Sequence, residues 1–442
     1  MRRPASRLSA APDVAPIAVR IDRVGHQGDG LGRLPDGTLV CVPGTLPGEY
    51  VTAVPIGSGG KLTRATLVRV ESQSPDRVDP PCPHAHACGG CRLQHWAEPS
   101  YLRWKAERLH EALSRAGYSD APIAPVIATP TNTRRRVDLA YAPSGADVAL
   151  GFHVARGRDV VNIRDCVILH DALRALLDPL RRLLPSLSGG RYPGSVHINL
   201  LDNGPDILFR LQAALTRKDS ERLLSFGTGV GACRIHYAVG NAEPTLLISL
   251  AAPFVRFGGV KVTPPPGSFL QASRDGERHL VQAVLDALPS PLPKRARFLD
   301  LFAGCGTFTF PLAAYGIVDA YEGNGPAIAA LRDAAHHALP GRIKGHHRDL
   351  SRQPVAGREL EGYAAAVVDP PWLGAPAQIA ALAASSVGLI IYVSCNPAAL
   401  ATDAQTLHVA GFTVLRATPI DQFVWSADLE SVIVFARGRS AR

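Results

Sequence analysis

A chain of 442 residues exceeds one ordinary hydrophobic core, so two to three domains are expected. Its 46% hydrophobic content excludes a disordered polymer, and no apolar run is long enough to span a bilayer. With 47 Lys and Arg against 38 Asp and Glu, the net charge of +9 favours a polyanionic partner, usually nucleic acid. Residues 1–15 are basic but carry no hydrophobic signal core, and they read as a solvated tail rather than a targeting peptide. Eight cysteines without a secretion signal suit a reducing, cytoplasmic compartment, where such thiols serve metal binding or catalysis.

Residues 16–76 hold short alternating segments: Ile17–Ile21, Thr38–Val42, Tyr50–Val54 and Arg64–Val68. Turns such as Gly28-Asp29-Gly30 and Pro47-Gly48-Glu49 separate them, the pattern of a small OB-like β-barrel of a kind that often binds oligonucleotides. A cysteine-bearing loop follows at 80–95, then an amphipathic helix over 96–116. The run Arg134-Arg135-Arg136 reads as a solvated face, with phosphate contact as the alternative. Residues 77–260 mix strands (Val137–Tyr141, Val196–Leu200, Thr245–Leu250) with a helix over Leu173–Leu184, giving a central α+β domain. From 261 to 442, strands at Phe298–Phe302, Val318–Tyr321, Ala365–Asp369 and Leu389–Val393 alternate with helices at 326–338 and 376–386. That alternation predicts a doubly wound, mostly parallel sheet, so the chain is expected to be a multidomain α/β protein.

Three strand ends in the last domain carry chemistry. Asp300-Leu301-Phe302-Ala303-Gly304-Cys305-Gly306-Thr307 is a strand-to-helix turn whose glycines let backbone approach a ligand. It lacks the third glycine of the dinucleotide fingerprint. Glu322 ends the next strand, where an acid suits vicinal ribose hydroxyls. Asp349 follows a third segment and is placed to meet an adenine amino group. The two-glycine loop with spaced acids points to S-adenosylmethionine, and Asp369-Pro370-Pro371 supplies a rigid substrate-side turn. Cys395 follows the buried strand, in Ser394-Cys395-Asn396-Pro397. A thiolate there can add to carbon 6 of a pyrimidine and so activate carbon 5 toward a methyl donor. A base must then take the carbon 5 proton, and Glu430, before the strand Val432–Phe435, is the candidate.

Cys82, Cys88 and Cys91 are spaced C-x5-C-x2-C, and Cys166 stands further on. Four thiolates suit a structural zinc or an iron–sulfur cluster equally. The long first gap and the fourth cysteine argue against a radical enzyme. His84, His86 and His95 read as loop or surface histidines. Cys41, Cys233 and Cys305 read as unligated core or turn thiols.

Taken together, these motifs resemble the RNA 5-methyluridine methyltransferase family over nearly the whole chain. The resemblance implies a TRAM barrel at 17–75 and a class I methyltransferase domain at the end. It implies that Cys82, Cys88, Cys91 and Cys166 hold a 4Fe-4S cluster. It implies that Gln271, in Ser268-Phe269-Leu270-Gln271, binds S-adenosylmethionine with Phe302, Gly304, Thr307, Glu322, Asp349 and Asp369. Cys395 becomes the nucleophile and Glu430 the base. The chain departs from the family pattern in four places, the last spanning two residues. Ser273 and Thr307 stand where asparagine is usual, Trp372 where arginine is common, and Trp425 and Asp428 where histidines are frequent. These positions bear on substrate contacts and RNA choice.

The expected partner is structured RNA, 23S rRNA first and tRNA second, with a flipped uridine as the target. No membrane partner is expected, and a monomer is favoured. Two other classes remain open: an amino-group methyltransferase, which would not need Cys395, and a non-catalytic iron–sulfur RNA-binding or ribosome-assembly protein.

Overall fold

The computed structural model describes residues 15–59 and 62–438. The basic tail expected over 1–15 therefore lies, apart from Ala15, outside the described residues. The chain forms two compact units. The first contains the described residues up to Pro80 with Arg92–Tyr101 and Trp425–Ala427; the second contains the rest.

Five strands make the first unit a closed barrel: β1 (Ile17–Val24), β2 (Gly30–Arg33), β3 (Leu39–Val42), β4 (Tyr50–Gly59) and β5 (Leu62–Ser72), in the order β1-β2-β3-β5-β4. Closure removes the open edges that invite aggregation. Alternation puts Val19, Ile21, Val40, Val42, Val51, Ala53 and Ala65 in the core and leaves Arg20, Arg23, Arg33, Arg64 and Arg69 exposed. The sequence reading placed Gly30 in a turn; it opens β2 instead. A Cβ there would sit 1.9 Å from Thr45 Oγ1, so the glycine permits close strand packing. Buried Glu49 ties the barrel to the next segment through Arg77, at 2.5 Å.

Helix α1 (Glu98–Arg115), whose first turn belongs to the first unit and whose remainder belongs to the second, matches the amphipathic helix expected over 96–116. Strands β6 (Ile127–Ala128), β7 (Arg136–Ser144), β8 (Asp147–His153) and β9 (Val160–Asn162) follow. Helices α2 (Asp171–Arg174) and α3 (Leu177–Leu183) replace the single helix expected over Leu173–Leu184. The break lies where Leu176 N–H bonds back three residues to Leu173 instead of four. Then come β10 (Gly194–Leu201), β11 (Gly204–Leu211), α4 (Arg217–Gly229), β12 (Arg234–Val239) and β13 (Thr245–Ser249). They assemble a mixed sheet in the order β13-β12-β11-β10-β7-β8-β9. Helices α3 and α4 cover it, with Leu180 and Leu223 fully buried.

A small hairpin, β14 (Val255–Phe257) and β15 (Val260–Val262), leads to α5 (Arg274–Asp286) and the last sheet. That sheet uses β16 (Arg297–Leu301), β17 (Ile317–Glu322), β18 (Ile343–His347), β19 (Ala365–Val368), β20 (Leu389–Ser394), β21 (Phe412–Asp421) and β22 (Glu430–Arg437). Its helices are α6 (Thr309–Ala313), α7 (Gly325–Ala338), α8 (Pro376–Ala383) and α9 (Pro397–Val409). The strand order is β18-β17-β16-β19-β20-β22-β21-β6. The first five strands are parallel, and β22 runs antiparallel between β20 and β21. Order reverses between β16 and β19, the switch point where open α/β sheets bind ligands. Val367, Val368, Ile390 and Ile391 are fully buried, which explains why parallel strands read as continuous apolar runs. Two strands had no clear signal in the sequence. Histidines and a glycine blur β18, and a register shift between Val414 and Arg416 breaks the alternation of β21.

Candidate active site

The carboxyl ends of β16, β19 and β20 bring the expected ligand-binding residues to one end of the sheet. At β16, Asp300 is fully buried, and its Oδ2 accepts the Thr309 hydroxyl at 2.5 Å. Its Oδ1 is buried with no hydrogen-bond partner, and burial raises its pKa to about 7. The chain then turns through Phe302 at φ 64°, a strained conformation for an aromatic residue, and Gly304 at φ 56°. A Cβ at Gly304 would meet nothing within 4 Å, so open space faces this backbone. Glu322, ending β17, accepts the Gly304 N–H at 2.8 Å and the Asn324 N–H at 2.6 Å. The carboxylate is thereby fixed beside the loop, with lone pairs left for ribose hydroxyls. Thr307 is half-buried on the same loop. Asp349 is exposed; the Ser351 hydroxyl and then the Ser351 N–H, at 3.0 Å, donate to it and keep its pKa low.

Asp369 ends β19. Its carboxyl makes no hydrogen bond among the described residues. Burial raises its pKa well above the usual range, and Glu430, Asp300 and Glu322 add to the shift. Cys395 follows β20, one residue before α9, whose start Asn396 caps by accepting the Ala398 N–H at 3.0 Å. Burial pushes the Cys395 thiol up to about 12, with Glu430 and Asp369 adding repulsion. Glu430 opens β22, which pairs antiparallel with β20 so that Ser431 lies opposite Ser394. It is 4% exposed, and burial raises its pKa to about 7. The thiol and the two carboxyls thus lie at adjacent strand ends, where burial disfavours the charged form of all three and the two carboxylates further disfavour the thiolate.

Gln271 is buried, and its Oε1 accepts the Gln422 Nε2 at 2.7 Å. Gln422 Oε1 in turn accepts the Ala272 N–H at 3.1 Å, and its amide holds down the pKa of Glu430. One side chain therefore links the Gln271 segment to the candidate base. No local pattern in the sequence marks Gln422 for this part. The arginine run is equally instructive. Arg135 is 1% exposed and pairs with Glu277 at 2.6 Å, so the run is neither a solvated face nor a simple phosphate patch. Arg136 lies over the Phe269 ring at 4.2 Å and close enough to Glu430 to interact with its charge. Lys105 on α1 also escaped notice. Fully buried, it pairs with Asp421 at 2.5 Å and donates to the carbonyls of Phe423 at 3.1 Å and Asp428 at 2.7 Å. It secures both ends of the segment that leads to Glu430.

The four loop thiols also converge. Burial raises Cys91 to about 12, and Cys166, Cys88 and Cys82 contribute in that order. Gly90 N–H donates to Cys88 Sγ at 3.5 Å, and Gly89 N–H pairs with His153 carbonyl at 2.9 Å. His84 accepts the Arg164 N–H at 3.0 Å. No group of three or more His, Cys, Asp or Glu among the described residues is arranged for a single metal ion. Cys41, Cys233 and Cys305 are buried and form no disulfide.

Two family models match the chain: the tRNA (Uracil-5-)-methyltransferase model over residues 344–438 and the TRAM domain model over 16–54. An uncharacterized RNA methyltransferase of Caulobacter vibrioides is 39% identical over 94% of this chain and 99% of its own length. The 23S rRNA (uracil(1939)-C(5))-methyltransferase of Shewanella piezotolerans is 31% identical over 96% of each chain. Among solved structures, the Pyrococcus abyssi tRNA (uracil-54, C5)-methyltransferase, in complex with S-adenosyl-L-homocysteine, superposes with a TM-score of 0.72. That match covers 95% of this chain and 99% of the other at 21% identity, and it shows a shared fold.

The Lys105 anchor has a measurable consequence. Lys105→Met removes the buried cation beside Asp421 and should lower unfolding free energy by roughly 3–5 kcal/mol. Denaturant titration reads this directly, and a loss below about 1 kcal/mol would contradict the anchoring role.

Proposed function

The chain belongs to the RNA (uracil-5-)-methyltransferase family, and on that premise we propose that it methylates carbon 5 of one uridine in structured RNA. 23S rRNA is the first candidate substrate, by likeness to the Shewanella relative, and tRNA is the second. The observation that carries the reading is the pairing of β20 with both β19 and β22, which brings Asp369, Cys395 and Glu430 to one end of the sheet. An amine-methylating enzyme would have no use for that thiol. A cytoplasmic setting, where such RNA is found, belongs to the same reading. Among the described residues no helix is long and apolar enough to cross a membrane.

S-adenosylmethionine fits the residues present. The backbone at Gly304 faces open space, Glu322 is fixed for ribose hydroxyls, and the Asp369 carboxyl has no partner within the described structure. Gln271, Phe302, Thr307 and Asp349 complete the proposed binding set. When bound, the donor supplies an electrophilic methyl group to carbon 5.

The chain's own residues do the rest. The Cys395 sulfur, its proton released to solvent, bonds to carbon 6 of a flipped uracil. Carbon 5 gains electron density and forms the new carbon–carbon bond. Glu430 then takes the carbon 5 proton, the sulfur–carbon bond breaks, and the ring double bond returns. Burial serves this sequence, because a carboxyl with a pKa near 7 is a stronger base than an exposed one.

Resemblance to the family is what favours a 4Fe-4S cluster over zinc on Cys82, Cys88, Cys91 and Cys166. Cys166, Cys88 and Cys82 act electrostatically on Cys91, but no group of three or more ligand side chains among the described residues is arranged to hold a metal ion. The cluster would tie the loop at 82–91 to Cys166 and has no step in the reaction.

Two measurements test these assignments. Because Glu430 must be ionised to act, methylation of 23S rRNA should fall as pH drops through about 7. Glu430→Gln should slow turnover by about 10²–10⁴-fold and accumulate a methylated covalent RNA adduct. A flat wild-type profile between pH 5 and 8, or a Gln variant with normal turnover, would contradict the base assignment. Cys166→Ser should lower iron content and melting temperature together, and normal values of both would exclude the structural cluster.

A further inference from the structure

The Asp-Pro-Pro turn carries two exposed apolar residues at its tip: Trp372 is 62% exposed and Leu373 is 79% exposed. Single exposed apolar side chains are ordinary on protein surfaces. This tip differs because its backbone is held on both sides. Asn396, next to the nucleophile, donates its side-chain amide to the Trp372 carbonyl at 2.9 Å. On the far side, Ala375 N–H donates to the Asp403 carboxylate at 2.8 Å, and Tyr392 hydroxyl donates to the same oxygen at 2.6 Å. Asp403 is 2% exposed, so a buried acid on α9 fixes a loop whose tip stays in solvent.

Rigid presentation lowers the ordering cost when an aromatic ring meets a partner. An indole face stacks on any nucleobase, and this ring belongs to the turn tied to the Cys395 loop. We infer that Trp372 stacks on a nucleobase next to the target uridine and helps to hold the RNA open at the site. The inference rests on the proposed RNA methylation and deepens it by assigning a substrate contact. A neighbouring base is unstacked when a uridine leaves the helix, and the indole face replaces part of the lost stacking.

The test is equilibrium binding of in vitro transcribed 23S rRNA to wild type, Trp372→Ala and Trp372→Phe, with methyl transfer measured in parallel. Trp372→Ala should weaken RNA binding by about 5- to 150-fold, the range of one base–aromatic stack. Trp372→Phe should stay within about threefold of wild type, and S-adenosylmethionine binding should be unchanged in both. RNA should also quench the emission that Trp372→Phe removes from the wild-type spectrum. Binding of Trp372→Ala within about twofold of wild type would overturn the stacking contact while leaving the methylation reading intact. Tight, Trp372-dependent binding without methyl transfer would support the contact and count against the reaction. Absence of RNA binding by wild type would overturn both.

Discussion

The pairing of β20 with both β19 and β22, which sets a thiol and two carboxyls at one end of the sheet, is the constraint around which the proposed site is organised. Cys395, Glu430 and Asp369 come from the ends of three strands; Glu430 and Asp369 raise the pKa of the thiol, and Glu430 raises that of Asp369. Such a cluster is unfavourable unless the surrounding structure fixes it. The order of the last sheet brings it together: β19 and β20 are parallel neighbours, and antiparallel β22 returns Glu430 to the carboxyl end of β20. Around it, Lys105 secures the segment before Glu430, and Gln422 links that segment to Gln271. In the proposed reaction the unfavourable term becomes useful, because the buried acid has a pKa close to neutral.

Much of this was legible in the sequence. Buried parallel strands announce themselves as apolar runs, so β16, β19 and β20 and the residues at their ends could be placed directly. The Asn396-Pro397 pair marked both the end of a strand and the start of α9. What escaped depends on partners distant in sequence. Lys105 lies 316 residues from Asp421, and Gln422 lies 151 from Gln271. Neither spacing leaves a local pattern. The arginine run misled because charge alone does not reveal burial: Arg135 is internal only because α5 supplies Glu277. Strands β18 and β21 were missed because histidines, glycine and a bulge interrupt the two-residue period.

Two of the departures from the family pattern differ in kind. Ser273 is buried and caps α5, accepting the Gly276 N–H at 3.0 Å, so its part is structural. Trp372 is exposed on a fixed turn and faces solvent where a substrate would arrive. The first preserves the scaffold, and the second alters the surface offered to RNA. This is the division expected when one fold serves different sites on different RNAs.

The central claim is that Cys395 forms a covalent bond to carbon 6 of a uracil. Mass spectrometry of the protein incubated with S-adenosylmethionine and 5-fluorouridine-containing rRNA or tRNA tests it most directly. Fluorine at carbon 5 cannot leave as a proton does, so the intermediate should be trapped. The account predicts a protein–RNA adduct that carries the added methyl and is absent from Cys395→Ala. RNA bound by both proteins, with no adduct on either RNA, would contradict it.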